Sequence, residues 1–395
     1  MMDEINLRVL TLNCWGIPYV SSNRRQRIIA IAEKLSFGDY DVICLQEIWC
    51  RNDYKIIRTK TQETLPYSHY FYSGVIGSGV CCFSKYPIQD VMFHKWSLNG
   101  YVHKVHHGDW FGGKGVGLCR LRINDANVNI YNAHLHAEYN SENDEYSAHR
   151  ILQAFDMAQF IRMTEQGADA VILGGDLNTG PQDLAYRIIK GVASLADACS
   201  IIHNDIGTSE CANNSYTSLK VASKLPQGKR IDHILYSGSK NYMVQIVNCQ
   251  QPFPDRVPNK SFSFSDHEAV VAEFKLTRGT YQTLETDVRE SLKEALSICE
   301  KSLRDIKRQR IWYLLISLFI AIPLVWSMGF ESTASSIGIG ISIALNIGRL
   351  LSTAILCYSL FMSSIWNCVE KNALKAGYLA MEIRLMQLNN HIIKR

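Results

Sequence analysis

An abrupt change of composition after about residue 310 constrains this chain more than any other feature. Residues 311–326 carry no charge, and a second apolar region, 334–366, carries a single charge on Arg349. A helix needs about 20 apolar residues to cross a bilayer core, and the first run reaches that length when it is extended through residue 330. Both runs are apolar on all faces, whereas a helix on the surface of a core is apolar along one stripe. We therefore predict two membrane helices.

The second membrane helix has two alternative extents, 334–348 or 350–366, and in the second case Arg349 extends its side chain to an interface. Glu331 lies in the short loop between the two apolar runs, and basic residues flank their outer ends. Because basic residues favour the cytoplasmic side of a membrane, both chain termini are expected there. The basic residues are Arg304, Lys307, Arg308 and Arg310 before the first run, and Lys371, Lys375 and Arg384 after the second.

The sequence divides into four predicted segments. Residues 1–276 form a catalytic domain, and residues 311–366 contain the two membrane helices. Residues 277–310 form an amphipathic juxtamembrane helix that either packs on its own domain or joins a short coiled coil. Residues 367–395 form a cytoplasmic helical tail. The apolar stripe of the juxtamembrane helix consists of Leu284, Val288, Leu292, Ala295, Cys299, Leu303 and Ile306.

The bulk properties of the 395 residues argue against several classes of protein. The formal net charge of +4 is mild, and no concentrated basic face of the kind that binds nucleic acid is visible. The twelve cysteines are scattered without a CxxC motif, so we expect no zinc site. The N-terminus lacks the basic and apolar regions of a signal peptide. We expect the first 280 residues to lie in the reducing cytosol with free thiols, and we expect no nucleic-acid partner.

Strand-like and helix-like patterns alternate within the first segment, but several predicted strands follow one another directly. This order favours an α+β fold with mixed sheets and helices on the outside. Apolar residues recur at helical spacing in 23–35 and 143–164, and Pro181 opens another predicted helix that ends at residue 190. Strands are predicted at 7–12, 41–47, 78–83, 116–123, 128–133, 170–176, 230–236, 244–247 and 268–276.

The segment 174–180 (GGDLNTG) follows the apolar run 170–173. The pattern predicts a buried strand that delivers Asp176 and Asn178 to a turn at its carboxyl end. Residues two apart in an extended chain point to the same side, so a carboxylate and an amide are expected to face one pocket. Taken alone, the segment is equally compatible with an ordinary turn rich in glycine and Asx residues.

Polar residues also adjoin several other strand-like runs, and their combination indicates a chemistry. Carboxylates bind hard cations such as Mg²⁺. A bound divalent cation neutralises phosphate charge, and a histidine held by a carboxylate can accept a proton from an attacking water. The sequence therefore predicts metal-dependent hydrolysis of a phosphoester. The residues concerned are Asn13, Glu47, His134, Asp176, Asn178, Asp232, Asp266 and His267.

Four motifs resemble the endonuclease/exonuclease/phosphatase superfamily, which has the fold of DNase I. They are Gln46-Glu47, Gly175-Asp176-Leu177-Asn178, Arg230-Ile231-Asp232-His233-Ile234-Leu235 and Ser265-Asp266-His267, and they occur in the superfamily's order. The resemblance covers about residues 5–276 and implies a four-layer α/β sandwich. Finer motifs are similar to those of neutral sphingomyelinases, as is the C-terminal pair of apolar helices. These motifs are 12–16 (LNCWG), 46–49 (QEIW), 134–139 (HLHAEY) and 148–150 (AHR).

The resemblance implies catalytic roles for five residues. His267 acts as general base on water and is oriented by Asp232. Asp176 and Asn178 position the nucleophile and the phosphate. His134 stabilises the phosphate oxygens or assists the leaving group.

The resemblance also implies a metal site and substrate contacts. Glu47 binds an essential Mg²⁺ with Asn13 beside it, and Asp266 lies close to the metal side of the cleft. Lys114 and Arg150 are expected to meet lipid phosphate. His136 is a second candidate for the substrate site, because it lies two residues after His134.

The loop 108–115 (GDWFGGKG) resembles a nucleotide-binding loop, but Gly115 stands where such a loop needs Ser or Thr, and a strand follows it. We therefore reject nucleotide binding. Trp96, Tyr101, Trp110 and Phe111 surround the loop. They form either an aromatic lip that enters a membrane interface or a hairpin with buried aromatic side chains.

The expected function is Mg²⁺-dependent hydrolysis of sphingomyelin to ceramide and phosphocholine at the cytosolic face of an internal membrane or the plasma membrane. A lysophospholipase C acting on lysophosphatidylcholine or lyso-platelet-activating factor is the main alternative. An inositol-phosphate phosphatase, an endonuclease and a membrane scaffold without a working site are further alternatives. The organelle, any activating lipid and the oligomeric state stay open.

Overall fold

The computed structural model describes residues 4–104, 107–140, 143–202, 206–282, 286–330 and 338–393, with side chains described as far as residue 390. The chain forms two compact units, Met1–Leu292 and Lys293–Arg395. Glu331, Leu284 and residues 334–337, on which predictions of the helices rested, lie outside the described residues. The division into four segments stays a prediction.

The first unit contains the strands and most of the shorter helices. Its strands are β1 (Ile5–Asn13), β2 (Val42–Gln46), β3 (Tyr67–Tyr70), β4 (Cys81–Ser84), β5 (Ile88–Lys95), β6 (Gly115–Ile123), β7 (Ala126–His134), β8 (Ala170–Asp176), β9 (Ala196–Asp197), β10 (Asp232–Gly238), β11 (Tyr242–Gln250) and β12 (Val270–Arg278). Its helices are α1 (Arg24–Phe37), α2 (Arg51–Thr61), α3 (Ser147–Thr164), α4 (Leu184–Ala193), α5 (Ala198–Ile201) and α6 (Leu219–Lys224).

The strands form two mixed six-stranded sheets. The first has the order β11-β12-β1-β2-β4-β3, and the second has the order β5-β6-β7-β8-β10-β9. β1 pairs in parallel with β2, and β7 pairs in parallel with β8, whereas the other named pairs are antiparallel. The prediction of mixed sheets with helices is confirmed.

The alternation of side chains along the strands creates two apolar layers. In β1, Leu7 and Val9 belong to the core between the two sheets, together with Ile172 of β8. Leu10 and Leu12 point to the other face, where they pack with residues of α1. Burial of such a side chain contributes about 1.5–3 kcal/mol. The side chains that face the core between the sheets form one row on each strand, and the rows of several strands end at the same edge of the sandwich.

Two adjacent glycines in β8 offer a matched test of packing beneath the site. A Cβ atom on Gly175 would lie 2.2 Å from the carbonyl oxygen of Ala133 on β7, whereas one on Gly174 would make ordinary contacts no closer than 3.4 Å. We expect Gly175→Ala to lower the free energy of unfolding by about 1–3 kcal/mol, because the neighbouring backbone must shift. Gly174→Ala serves as the control. Denaturant unfolding of both variants measures the difference, and equal stabilities would contradict the packing argument.

The second unit consists of long helices. α7 (Arg289–Ser327) begins in the first unit and continues through the amphipathic segment into the first apolar run without a break, and α8 (Ile339–Phe361) covers the second run. Both helices are long and apolar enough to cross a membrane, judged by length and composition. The prediction that the second helix ends before Arg349 or begins after it, at 334–348 or 350–366, is wrong, because Arg349 lies inside α8. Its guanidinium donates to the carbonyl oxygen of Ser327.

The last helix, α9 (Asn367–Ile393), follows a π-helical turn at Met362–Trp366. Its Asn367 side chain donates to the carbonyl oxygen of Ile306 at 2.9 Å, and its Tyr378 hydroxyl donates to Glu300 at 3.0 Å. These bonds join α9 to the part of α7 that precedes the first apolar run.

Some element boundaries differ from the prediction because local hydrogen bonds compete with the helix. α3 begins at Ser147 rather than at residue 143, since the Asp144 side chain accepts from the backbone of Tyr146. α4 begins at Leu184, and Asp183 before it accepts from the backbone of Gly180. In both cases an Asx side chain holds a turn where the sequence pattern predicted helix.

The expectation that all thiols are free is wrong for one pair. Cys199 and Cys249 form a disulfide, and their Cα atoms lie 5.3 Å apart, within the usual distance for such a bond. The other ten cysteines are free. The pairing brings α5 next to β11.

Candidate active site

The inner rows of several strands end in polar side chains at one edge of the two sheets. Asn13 ends β1, His134 ends β7 and Asp176 ends β8. His134 lies opposite Asp176 in the parallel register, and Asp232 at the start of antiparallel β10 also lies opposite Asp176. Because period two keeps these residues on the face that carries the inter-sheet core, they meet at the rim of that core.

Asp176 is the centre of the resulting network. One carboxylate oxygen accepts a hydrogen bond from the Asn13 amide at 2.9 Å and lies 3.4 Å from Nε2 of His134. The same oxygen lies 4.0 Å from Nε2 of His267, and the other oxygen accepts from the backbone N–H of Asn178 at 3.0 Å. Burial raises the pKa of Asp176 to about 6, and the nearby Asp232 carboxylate adds to this effect.

His267 and Asp232 form a histidine–carboxylate pair. Nδ1 of His267 lies 2.8 Å from the Asp232 carboxylate. The backbone N–H of Asp232 donates to the Thr208 hydroxyl. Burial acts to lower the pKa of His267, but the charges of Asp232 and Asp176 outweigh burial and hold that pKa well above its ordinary value. With Nδ1 engaged, Nε2 is the ring nitrogen that can exchange a proton.

Glu47 lies just beyond β2 with its backbone in the left-handed region, at φ 58°. Its carbonyl oxygen accepts from Gly16 at 3.0 Å, which fixes the turn. One carboxylate oxygen lies 4.0 Å from Nε2 of His134, and the other is buried without a hydrogen-bond partner among the described residues. Burial raises the pKa of Glu47 to about 7, although Lys114 counteracts this effect. A buried carboxylate oxygen without a partner fits a cation ligand.

A cavity of about 460 Å³ opens on these groups. It brings together six of the predicted catalytic and metal residues together with Lys114. Asp232 lies behind His267, and Asp266 lies close enough to raise the pKa of Glu47 without lining the cavity. The lining residues are Asn13, Ile17, Pro18, Glu47, Trp49, Ile76, His107, Gly108, Asp109, Phe111, Lys114, His134, Ala137, Tyr139, Asp176, Asn178 and His267.

A second geometric group of metal-binding type consists of Asp176, Asp232 and His267, each of which offers one ligand atom within 4.8 Å of the others. In this group Nδ1 of His267 is engaged by Asp232. Two groups can therefore bind a cation: Glu47 with its neighbours, and Asp176 with Asp232 and His267.

Asp109 is a cavity residue that the sequence analysis missed. Its carboxylate lies 2.7 Å from Nζ of Lys114 and accepts from the Tyr139 hydroxyl at 3.0 Å. Burial acts to raise the pKa of Asp109, but Lys114 and then His136 hold it well below the usual range. Asp109 and Lys114 therefore form an ion pair in the wall of the cavity. The sequence did offer one indication of this role, because Asp109 lies in the same loop, 108–115, as the predicted substrate residue Lys114.

Two predicted substrate residues do not line the cavity. His136 is fully buried, with Nδ1 2.9 Å from the carbonyl oxygen of Ala137 and Nε2 3.4 Å from Asp109. β7 ends at His134, so the alternation of side chains that suggested His136 does not extend to it. Arg150 pairs with Asp144 and borders a separate cavity of about 140 Å³. The geometry gives neither residue a contact with a substrate in the main cavity.

The aromatic residues around the loop differ in burial. Trp96 is buried and donates from Nε1 to the carbonyl oxygen of His134 at 2.9 Å, so it belongs to the hairpin core. Trp110 and Phe111 stack on each other with ring centroids 3.6 Å apart, and Phe111 lines the cavity.

Arg27 of α1 is a fully buried cation that joins two loops of the site. Its guanidinium donates to four backbone carbonyl oxygens, including Cys14 and Trp15 after β1 and Phe264 just before the segment 265–267. Its carbon lies 4.8 Å from the centre of the Trp15 ring, within the range of a cation–π contact. Arg27 therefore fixes the relative position of the loops that follow Asn13 and precede His267.

Replacement of Arg27 by Met should lower the free energy of unfolding by about 2–4 kcal/mol, because buried carbonyl oxygens lose their donors. We also expect catalytic activity to fall about tenfold or more, since a shift of about 1 Å in a site is costly. The exposed Arg25→Met on the same helix is the control. Thermal unfolding and activity at saturating substrate test both effects, and wild-type behaviour of Arg27→Met would refute the assignment.

Comparison with known proteins agrees with this geometry. Residues 10–267 match the Endonuclease/Exonuclease/phosphatase family. The putative neutral sphingomyelinase of Drosophila melanogaster is 39% identical over 96% of this chain and 97% of its own length. Sphingomyelin phosphodiesterase 2 of Homo sapiens is 40% identical over 68% of this chain and 64% of its own length.

The fold is also shared with solved structures. Sphingomyelinase C from Streptomyces griseocarneus superposes with a TM-score of 0.51 and 20% identity, over 68% of this chain and 99% of that structure. This confirms the DNase I-like architecture. The putative neutral sphingomyelinase of Drosophila melanogaster aligns with this chain along almost its whole length. The chain therefore belongs to the endonuclease/exonuclease/phosphatase family of phosphodiesterases.

Proposed function

We propose that this protein is a Mg²⁺-dependent neutral sphingomyelinase that hydrolyses sphingomyelin to ceramide and phosphocholine at the cytosolic face of a membrane. One observation carries the proposal: His267, which is held by Asp232, and Glu47, which has a buried, unpaired oxygen, line the same cavity. The names of the relatives support the choice of lipid.

Glu47 is the residue that would hold the cation, with Asn13 and Asp266 beside it. The Asn13 side-chain oxygen accepts from the backbone of Trp15 at 2.9 Å and retains a second lone pair. When bound, Mg²⁺ supplies positive charge that neutralises phosphate oxygens and lowers the pKa of neighbouring acids.

In its neutral form, which the positive charge of a bound cation would favour, His267 takes a proton from the attacking water at Nε2. Asp232 holds Nδ1 and stabilises the resulting imidazolium. Asn178, whose side-chain amide donates to the carbonyl oxygen of Leu135, and Asp176 position the water and the phosphate. Burial keeps the pKa of His134 well below its ordinary value. Neutral His134 therefore serves as a hydrogen-bond donor to phosphate oxygens or to the leaving oxygen.

The two candidate membrane helices and their basic flanks support an integral membrane protein with a cytosolic catalytic domain. The disulfide between Cys199 and Cys249 is the observation that opposes this placement, because the cytosol keeps most thiols reduced. Protection of engineered tags from protease in sealed membranes tests the orientation directly.

The decisive experiment measures phosphocholine release by the purified full-length chain from sphingomyelin in mixed micelles. Lysophosphatidylcholine and lyso-platelet-activating factor are compared at equal concentration by the same readout, and DNA cleavage is followed separately by the release of nucleotide fragments. We expect preference for sphingomyelin, loss of activity with EDTA and recovery with Mg²⁺. Faster cleavage of a lyso-lipid would move the assignment to a lysophospholipase C, and cleavage of DNA or activity in EDTA would overturn the proposed chemistry.

A further inference from the structure

Two turns beside the cavity display apolar side chains where turns ordinarily carry polar ones. The first turn includes Tyr19, which is fully exposed, and Val20, which is 68% exposed. The second includes Val75 and Ile76, which are 83% and 50% exposed. We name residues 17–20 and 75–76 the apolar rim. Large apolar side chains exposed on two turns that border one cavity indicate an interaction surface.

The apolar rim is continuous with the candidate active site. Ile17 and Pro18 line the cavity from one turn, and Ile76 lines it from the other. The exposed Tyr19, Val20 and Val75 lie beside these lining residues in the chain. The rim therefore borders the mouth through which a substrate reaches His267.

Backbone hydrogen bonds attach the rim to the segments that carry the site. Gly16, next to the first turn, donates to the carbonyl oxygen of Glu47 at 3.0 Å. In the second turn, Val75 donates to Phe111 at 3.4 Å, and Gly113 donates to Gly77 at 2.8 Å. The apolar tips are thus held at fixed places around the cavity.

We propose that the apolar rim inserts into the interfacial region of a lipid bilayer and seats the cavity mouth on the membrane. The inference rests on the proposed function, since a lipid substrate must reach the cavity from a bilayer. A protein or a second copy seated on the same turns would cover the mouth, whereas a bilayer covers it with substrate.

The surroundings of the rim have the composition of a membrane interface. Tyr72, just before the second turn, is 63% exposed, and the guanidinium of exposed Arg51 lies 5.4 Å from the centre of its ring. Aromatic rings and basic groups are enriched at the level of lipid headgroups. The exposed apolar side chains of the second turn therefore closely follow, in the chain, the aromatic member of this cation–aromatic pair.

The test compares two double variants of the full-length chain. Tyr19→Ser with Val75→Ser removes the rim's outer side chains. Phe37→Ser with Met163→Ser removes an aromatic and an aliphatic side chain of similar exposure, 89% and 71%. Phe37 is the last residue of α1 and Met163 lies in the last turn of α3, and both helices connect parallel strands. The two residues therefore lie at the opposite edge of the sheets from the site.

Each variant is reconstituted in phosphatidylcholine vesicles that contain sphingomyelin, and hydrolysis is compared with that of water-soluble p-nitrophenylphosphocholine. For the rim variant we expect at least a fivefold loss on the bilayer substrate and a change of less than twofold on the soluble ester. The control variant should stay within twofold on both. Equal losses on both substrates, or no loss on either, would overturn the proposal.

A second readout needs no catalysis. Single replacements Tyr19→Trp and Phe37→Trp each add one fluorophore, and the wild-type spectrum is subtracted. Brominated phosphatidylcholine should quench the added fluorescence at position 19 and leave that at position 37 unchanged. Absence of quenching, or a shift at position 19 that depends on protein concentration instead, would show that the turns meet something other than lipid. Inactivity of the wild type on both substrates would refute the proposed function. The quenching at position 19 would still show whether the apolar rim inserts into the bilayer.

Discussion

We expect His267→Asn to lower the rate of the proposed sphingomyelin hydrolysis by about 10²–10⁴-fold, the usual effect of losing a general base. The reason is geometric: Nδ1 is held at 2.8 Å from Asp232, so Nε2 is the group that can accept the proton of water. The Asn amide can still donate to Asp232, which limits the cost of leaving a buried carboxylate without its partner. The measurement is phosphocholine release at saturating substrate, accompanied by thermal unfolding.

Asp232 provides the sharper form of this test, because it acts through His267. Asp232→Asn alone should reduce the rate strongly, yet it should reduce the rate little further in the His267→Asn background. Residues that work as a unit show such non-additive effects. Independent, multiplicative losses would mean that Asp232 does not act by holding the imidazole.

His69 offers the matched control for the loss of a histidine. It is a half-buried residue of β3, an edge strand, and its ring packs edge-on against Phe71 at 4.7 Å. His69→Asn should keep activity within twofold of the wild type. A similar loss in both variants would indicate damage to the fold rather than to the proton transfer.

The sequence could predict the centre of the site because it is built from strand ends. Asp176 and His134 each continue an inward-facing row, and a period of two carries over from the core to the edge. The same rule failed for His136, because the strand ends before it and the chain turns. A periodicity argument is valid only as far as the backbone stays regular.

Contacts between distant segments were not predictable in this way. Arg27 belongs to an ordinary amphipathic helix pattern, and only the fold brings it to Phe264, which is 237 residues away in the chain. Strand β5 was missed because most of its side chains are exposed and it has no alternating apolar pattern. Helix α2 was missed because it buries little besides Asp53, Ile57 and Thr61. Sequence patterns report burial, so weakly buried elements give a weak signal.

Glu47→Gln is expected to weaken Mg²⁺ activation strongly while it preserves the shape of the side chain. A metal-bound phosphate gains several kcal/mol of charge stabilisation, which corresponds to about 10²–10⁴-fold in rate. The expected results are a loss of that size and at least a tenfold rise in the Mg²⁺ concentration for half-activation. Glu165→Gln is the control, since burial also raises the pKa of that carboxyl at the end of α3. An unchanged Mg²⁺ titration would remove Glu47 from the metal site.

The same variant should be more stable than the wild type when no metal is bound. Burial raises the pKa of Glu47 from 4.5 to about 7, so the folded state binds more protons than the unfolded state between these values, and stability falls as pH rises through that window. Above pH 7 the ionised carboxylate costs about 3 kcal/mol, which glutamine does not incur. Denaturant unfolding in EDTA at pH 5 and pH 8 measures this, and the gain should appear mainly at pH 8. Mg²⁺ should reverse the order by stabilising the wild type more than the variant, since a ligand that binds only the folded state raises its stability. A variant less stable than the wild type in EDTA at pH 8 would mean that Glu47 is a satisfied structural residue and not a cation ligand.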